Sequence, residues 1–271
     1  MRRTIGVPSV ITSILFLCFL LLPLIALVTS LTIAGMKTAL SPGSVAAGSA
    51  LPALWTSLRS TALVLLITIS FGTPLAWTLA RVSTPLRHTG ELLLLIPLSI
   101  PPLVLGLLLI SVYGPYGFIG ARLGQFSQML VNSFWGLCLA QCYEAAPAYI
   151  LAAQAGFLQV DHRLEQMSWL LGKNRWTTFR RITLPLAAPG LAAGFAFAVV
   201  RALGAFGAVL VIAYHPTSLP LAIWLGLEER GVPQALPVAA ILLIVTVPFP
   251  LLATLWGYYA QRHAHLPPAA L

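Results

Sequence analysis

The sequence predicts an all-α, polytopic membrane protein with about six transmembrane helices, and three observations carry that prediction. Of 271 residues, 59% are hydrophobic and only 8% charged, with a mean hydropathy of +0.93. Soluble domains carry roughly 25% charged residues, so an ordinary globule is excluded. The apolar residues fall in six runs long enough to cross a hydrocarbon core of about 30 Å as helices. Finally, the basic residues behind the net charge of +9 gather in the gaps between those runs. That is how membrane topology is written, and it offers no continuous basic face for a nucleic acid.

The expected spans, in order, are 9–34, 56–80, 91–112, 133–154, 187–213 and 235–259, within one transmembrane domain covering 1–271. The first follows Met1-Arg2-Arg3 and exceeds the roughly 7–15 residues of a signal-peptide core, which favours an uncleaved anchor. Small residues from Thr29 to Gly35 leave cleavage as the alternative. Residues 36–52, rich in Gly, Ser, Ala and Pro, read as a surface loop. The third span holds Pro97-Leu98-Ser99-Ile100-Pro101-Pro102 and Gly106, which deprive the helix of donors and interrupt it. Such breaks persist where freed carbonyls face protein or a water-filled cavity, so a pathway-lining role and a simple packing kink are both open. Pro147 in the fourth span and Pro248 and Pro250 in the sixth add further breaks. Cys18, Cys138 and Cys142 all lie inside apolar runs and read as small packing residues, not as a disulfide or metal set.

Orientation follows from Lys and Arg. With a cytoplasmic N-terminus, the inside carries Arg2, Arg3, Arg81, Arg87, Arg163, Lys173, Arg175, Arg180, Arg181 and Arg262. The outside then carries Lys37, Arg59, Arg122 and Arg230, and Arg201 lies within a span. The excess places both termini, and the segment 160–186, in the cytoplasm of a multi-pass protein of the cytoplasmic (inner) membrane.

That segment is the one long polar stretch. Leu164, Met167, Leu170 and Leu171 have helical spacing, Gly172 breaks the helix, and a second turn from Trp176 carries Phe179 and Ile182 amid Arg175, Arg180 and Arg181. Pro185 is expected to end it. Glu165, Gly172, Ile182, Leu184 and Pro185 fall at the spacing of the EAA loop, by which permease subunits of binding-protein-dependent ABC importers dock onto their ATPase subunits. Gln166 and Met167 depart from the small residues usual after the Glu. The chain thus resembles the MetI-like permeases, and the resemblance covers most of it from the second span onward. It implies the MetI-like fold and a coupling surface that includes Glu165, Met167, Leu171, Gly172, Arg175, Ile182, Leu184 and Pro185.

Two ionisable residues lie deep in spans, Glu144 in the fourth and Arg201 in the fifth. An isolated charge there costs at least about 2.5–3.5 kcal/mol, so each needs a partner or water. Around Arg201 the sequence Arg201-Ala202-Leu203-Gly204-Ala205-Phe206-Gly207 resembles molybdate, tungstate and sulfate permeases, which carry an acid where this chain has Ala205. Glu144 is one candidate for the missing counter-charge, and separate hydration or snorkelling of each is the other. The stretch from Ala213 to Trp224 with Glu228-Glu229-Arg230 resembles the outer loop of tungstate and molybdate permeases, and the acidic pair reads as a solvated rim or docking contact.

The resemblance further implies partners: two ATPase subunits, a second permease copy making a homodimer, an extracytoplasmic substrate-binding protein and the lipid bilayer, with no nucleic acid. No Gly-x-x-x-x-Gly-Lys-Ser/Thr segment is present, so ATP and Mg belong on the ATPase and this chain is expected to bind no cofactor or metal and to be no enzyme. The implied cargo is a tetrahedral oxyanion, tungstate or molybdate, with sulfate or thiosulfate as the alternative. Against an intramembrane enzyme stands the lack of His-Glu-x-x-His, Gly-x-Ser-x-Gly or paired carboxylates. A passive channel of another class would not require the Glu165 to Pro185 pattern.

Overall fold

In the computed structural model, residues 7–30 and 47–264 are described, and every regular element among them is helical. α1 (Val7–Ser30) touches the bundle only lightly, and none of its apolar stretch Ile11–Thr29 is buried. α2 (Ala47–Arg81) continues through Pro52 and Pro74 for 35 residues. The expected loop at 36–52 is therefore corrected over residues 47–52, which form the first turns of α2; residues 36–46 lie outside the described residues. Arg59 and Arg81 explain the length. They stand about 33 Å apart at a rise of 1.5 Å per residue, so the helix crosses the core between them and projects beyond it.

α3 (Thr84–Ser99) and α4 (Pro102–Tyr113) are the expected third span, bent by 104° at Ile100 and Pro101. Neither Pro101 nor Pro102 can donate to the preceding turn, so the helix has to stop there. Two single turns, Gly120–Leu123 and Gln125–Gln128, lead to α5 (Phe134–Leu158), which Ser133 caps by accepting from the Gly136 amide at 3.1 Å. Next come α6 (His162–Leu170) and α7 (Arg175–Thr178), followed by a π-helical turn at Phe179–Thr183 and then α8 (Leu184–Leu203) and α9 (Gly207–Ile212). The chain ends in α10 (Leu219–Arg230), α11 (Val232–Thr246) and α12 (Pro248–Ala264).

Ile11–Thr29, Ala50–Arg81, Arg175–Leu203 and Val232–Gly257 are long and apolar enough to cross a membrane, and the bent α3–α4 pair adds a fifth. The 25-residue α5 is long enough but less apolar, because it sits in the centre against α2, α3, α8 and α9 and buries Gln141, Glu144 and Gln154. A helix surrounded by protein need not satisfy lipid. Its contact with α8 is backbone on backbone: a Cβ on Gly156 would come within 2.8 Å of the Gly190 Cα, and one on Gly194 within 3.0 Å of the Tyr149 carbonyl. Small residues let membrane helices approach in this way.

Two expectations are corrected here. The span 187–213 is not continuous: it breaks at Gly204–Phe206 between α8 and α9. Pro185 does not end the preceding segment either. Arg175–Leu203 runs as one helical rod of 29 residues, because the π-turn lets the Leu184 amide bond to the Phe179 carbonyl five residues back. Widening the turn just before Pro185 accommodates a ring that would otherwise clash.

Candidate functional site

The polar segment folds as two short helices meeting at a glycine turn. Asp161 caps α6 by accepting from the Arg163 amide at 2.9 Å, and Asn174 caps α7 by accepting from the Thr177 amide at 2.7 Å. Between them the Gly172 amide donates to Trp169 O at 2.9 Å and the Lys173 amide to Ser168 O at 3.1 Å, a Schellman ending with Gly172 at φ +78. A side chain there would strain the backbone, although nothing lies within 4 Å of where its Cβ would be. Buried hydroxyls of Ser168 and Thr178, 2.9 Å apart, pin α6 to α7.

Glu165 holds this element to the bundle. It is 2% exposed, and its Oε1 accepts from Arg81 Nη2 at 2.8 Å and from the Thr183 hydroxyl at 2.6 Å. The Nδ1 of His162 lies 2.8 Å from Oε2 and donates to it. Burial alone would push this carboxyl up. The hydrogen bonds from Thr183, Arg81 and His162, with the Arg81 charge, outweigh that and hold it below its ordinary value. Arg81 also donates from Nη1 to Phe157 O at 3.3 Å, so one ion pair joins the ends of α2 and α5 to α6 and the π-turn. Phe179 packs alongside, with its ring centroid 5.2 Å from Trp77 and 6.2 Å from Phe157.

The expected coupling residues thus divide. Glu165 is internal and Gly172 makes the turn. Met167, Leu171 and Ile182 come together with Leu164, Lys173 and Arg181 around a surface groove of about 360 Å³. Leu170 and Leu171 are 87% and 79% exposed, so the helical apolar spacing seen in the sequence marks an outward face and not a core face. An apolar patch bared to solvent marks a contact surface. Arg175 and Leu184 point elsewhere and line a separate cleft on the flank, and Pro185 is exposed. Arg81, His162 and Thr183 escaped the sequence reading. Arg81 had been legible only as a topological charge, because its partner lies 84 residues further on.

The deep charges meet, but not as an ion pair. Arg201 sits in the last turn of α8, where its Nε donates to the main-chain carbonyl of Glu144 at 3.3 Å. No ion pair joins the two side chains among the described residues. Of the two readings left open by the sequence, the carboxylate–guanidinium pair is the one not formed. A cation in the last turn is favoured by the helix dipole, and α8 ends at Leu203, two residues beyond Arg201. Glu144 is 5% exposed, and its Oε1, with that of Gln141 and the hydroxyls of Thr61 and Ser218, has no hydrogen-bond partner among the described residues.

Residues 72–265 match the family described as binding-protein-dependent transport system inner membrane component. The chain belongs to that family. It is 37% identical over 243 residues to a probable molybdenum ABC transporter permease of Haloferax volcanii, covering 89% of this chain and 86% of that one. It is 31% identical over 241 residues to the sulfate transport system permease CysT of Escherichia coli K12, covering 87% and 86%. A bacterial ABC transporter that imports alginate has the same fold, with a TM-score of 0.70 at 18% identity and 93% of each chain covered. This chain is therefore a permease subunit of an ABC importer, a multi-pass inner-membrane protein and not an enzyme.

Proposed function

We propose that this permease carries a tetrahedral oxyanion, molybdate or tungstate, across the cytoplasmic membrane, driven by ATP hydrolysis in separate subunits. The observation that carries the reading is the segment from Asp161 to Thr183: an outward apolar groove mounted on a rod that runs without interruption into the membrane as far as Arg201. In this reading two ATPase subunits seat on the groove formed by Met167, Leu171 and Ile182, and ATP and Mg stay with them. Both termini are cytoplasmic, a second copy of the chain completes the pathway, and a loaded binding protein docks at the opposite end near α10. Arg201 supplies the positive potential an anion needs in the core. The similarity to a molybdenum permease supports the cargo. Sulfate is the second reading, favoured by the 31% identity to a sulfate permease.

Proteoliposomes holding this chain with its ATPase and binding protein test both. The expected result is ATP-dependent uptake of molybdate and tungstate that sulfate blocks little or not at all. Uptake of sulfate in preference to molybdate would replace the first reading by the second. Uptake that continues without the ATPase would refute both.

A further inference from the structure

Two cavities at the foot of the bundle share a wall. The larger is an open cleft of about 820 Å³ between α2, α8 and α12, bounded by Ile69, Leu191, Phe195 and Trp256 among others. The smaller, about 210 Å³, lies beside the Glu165 cluster, and both are lined by Trp77, Arg175 and Phe179. We propose that this paired cleft binds an anionic phospholipid of the leaflet on the coupling-element side, its acyl chain in the apolar cleft and its phosphate at Arg175.

Length, polarity and charge all point to that occupant. From Leu184 to Phe195, α8 walls the cleft over about 17 Å, which is one leaflet of a core about 30 Å thick. Its lining is mostly apolar: the hydroxyls of Thr73 and Tyr149 lie 2.6 Å apart and engage each other, Ser70 is the other hydroxyl along it, and the buried Trp77 Nε1 has no hydrogen-bond partner among the described residues. Trp77, Trp176 and Trp256 line its walls, the residues that favour the headgroup boundary. Arg81 is committed to Glu165, whereas among the described residues the guanidinium of Arg175 has only the Trp169 ring, 5.9 Å from its centroid. Arg175 is exposed at the cleft, and one basic residue near a membrane surface contributes about 1 kcal/mol of attraction to anionic headgroups.

A second copy of the chain does not supply the missing anion. Of its six acidic residues, Glu144 and Glu165 are buried, Glu91 accepts from Gln154 at 2.7 Å, and Asp161 caps α6. Glu228 and Glu229 end α10, whose start is tied to Ser57 on the far half of α2.

Native mass spectrometry of the delipidated chain, assembled with its ATPase in neutral detergent, tests the proposal with phosphatidylglycerol and phosphatidylcholine as probes. Phosphatidylglycerol is expected to be retained in preference, and Arg175→Ala to cut that preference about fivefold, as loss of one basic residue beside an anionic headgroup should. Ala192→Trp, which fills the cleft, is expected to lower retention of both lipids. Should that variant fail to fold, the exposed Arg175→Ala decides alone. Equal retention of the two lipids, no effect of Arg175→Ala, or displacement by inorganic phosphate would each overturn the lipid assignment. So would a disulfide between two copies of an Ala192→Cys variant, which would put a second chain in the cleft. Transport is not read in any arm, so the result stands apart from the choice of cargo.

Discussion

Replacing Glu165 by Gln keeps the shape of the side chain and removes its charge. Arg81, whose side chain is 19% exposed, then keeps a positive charge with no counter-ion. Breaking a buried pair from one side costs about 3–5 kcal/mol. The amide oxygen still accepts from Thr183, and Arg81 still reaches Phe157 O, so the lower end applies with a further discount: about 2–3 kcal/mol. At 1.36 kcal/mol per decade, the unseated coupling element becomes about 30- to 150-fold more populated. Hydrogen exchange of the amides from Leu164 to Thr183 reads that population directly. Thr183→Val, which removes one neutral donor, should raise exchange far less. Acid should imitate Glu165→Gln. Because the folded carboxyl is held below its ordinary value, its contribution is complete above the unfolded value of about 4.3 and is lost as pH falls through the lower, folded one. Between pH 7 and 5 the element should therefore stay seated, with release confined to stronger acid, followed by the fluorescence of Trp169. Exchange in Glu165→Gln within a factor of three of the parent, or release already at pH 5 to 6, would refute the clamp.

Gly172→Ala should destabilise the turn by about 1–2 kcal/mol and Gly172→Val by more, from left-handed backbone strain alone, and both should reduce ATPase stimulation by loaded binding protein. Unchanged stimulation and uptake in Gly172→Val would count against the turn's role. Gly190→Leu should fail for the opposite reason, steric overlap with the Gly156 backbone, and lower folded yield in the membrane while Gly172→Ala leaves yield intact. Arg201→Gln should abolish uptake with folded yield preserved, since among the described residues its hydrogen bond goes to a carbonyl; a double-mutant cycle with Glu144→Gln should be close to additive, and a coupling above about 1 kcal/mol would mean that the side chains do meet.

Local chemistry was legible in the sequence where a residue dictates its own backbone. Gly172 at a helix end and Pro101-Pro102 announce their breaks without reference to anything distant, whereas Pro97 and Pro147, read as breaks too, stay inside α3 and α5. The break at Gly204–Phe206 has no proline to announce it. It follows from close approach to α4, where a Cβ on Gly207 would meet Pro102 at 2.8 Å and one on Gly106 would meet the Ala208 carbonyl at 2.9 Å. Nor does a helical apolar stripe say which side of it is covered. Leu164, Met167, Leu170 and Leu171 form an outer face, in keeping with the coupling surface that the sequence implied for Met167 and Leu171, because the core side of α6 is held by polar contacts of Glu165 and Ser168. Pro185 misled because the π-turn that tolerates it is a property of the whole rod.

These contacts also fix how a displacement of the coupling element travels. Through Glu165 and Arg81 it is tied to the ends of α2 and α5, and through the π-turn it is continuous with α8. α5 and α8 in turn touch backbone to backbone at Gly156 and Gly190. A push on the outward groove therefore moves α2, α5 and α8 together, since sliding any one would open a contact that has no slack. α9 packs against α4 through Gly106 and Gly207 and shares a buried cluster with Leu137 and Ala140 of α5. Between α8 and α9 lie Gly204 and Ala205, where the helical ladder thins to an Ala205 amide 3.4 Å from the Ala202 carbonyl. Bending between α8 and α9 would fall there, one turn from Arg201, the cation that the proposed function assigns to the pathway.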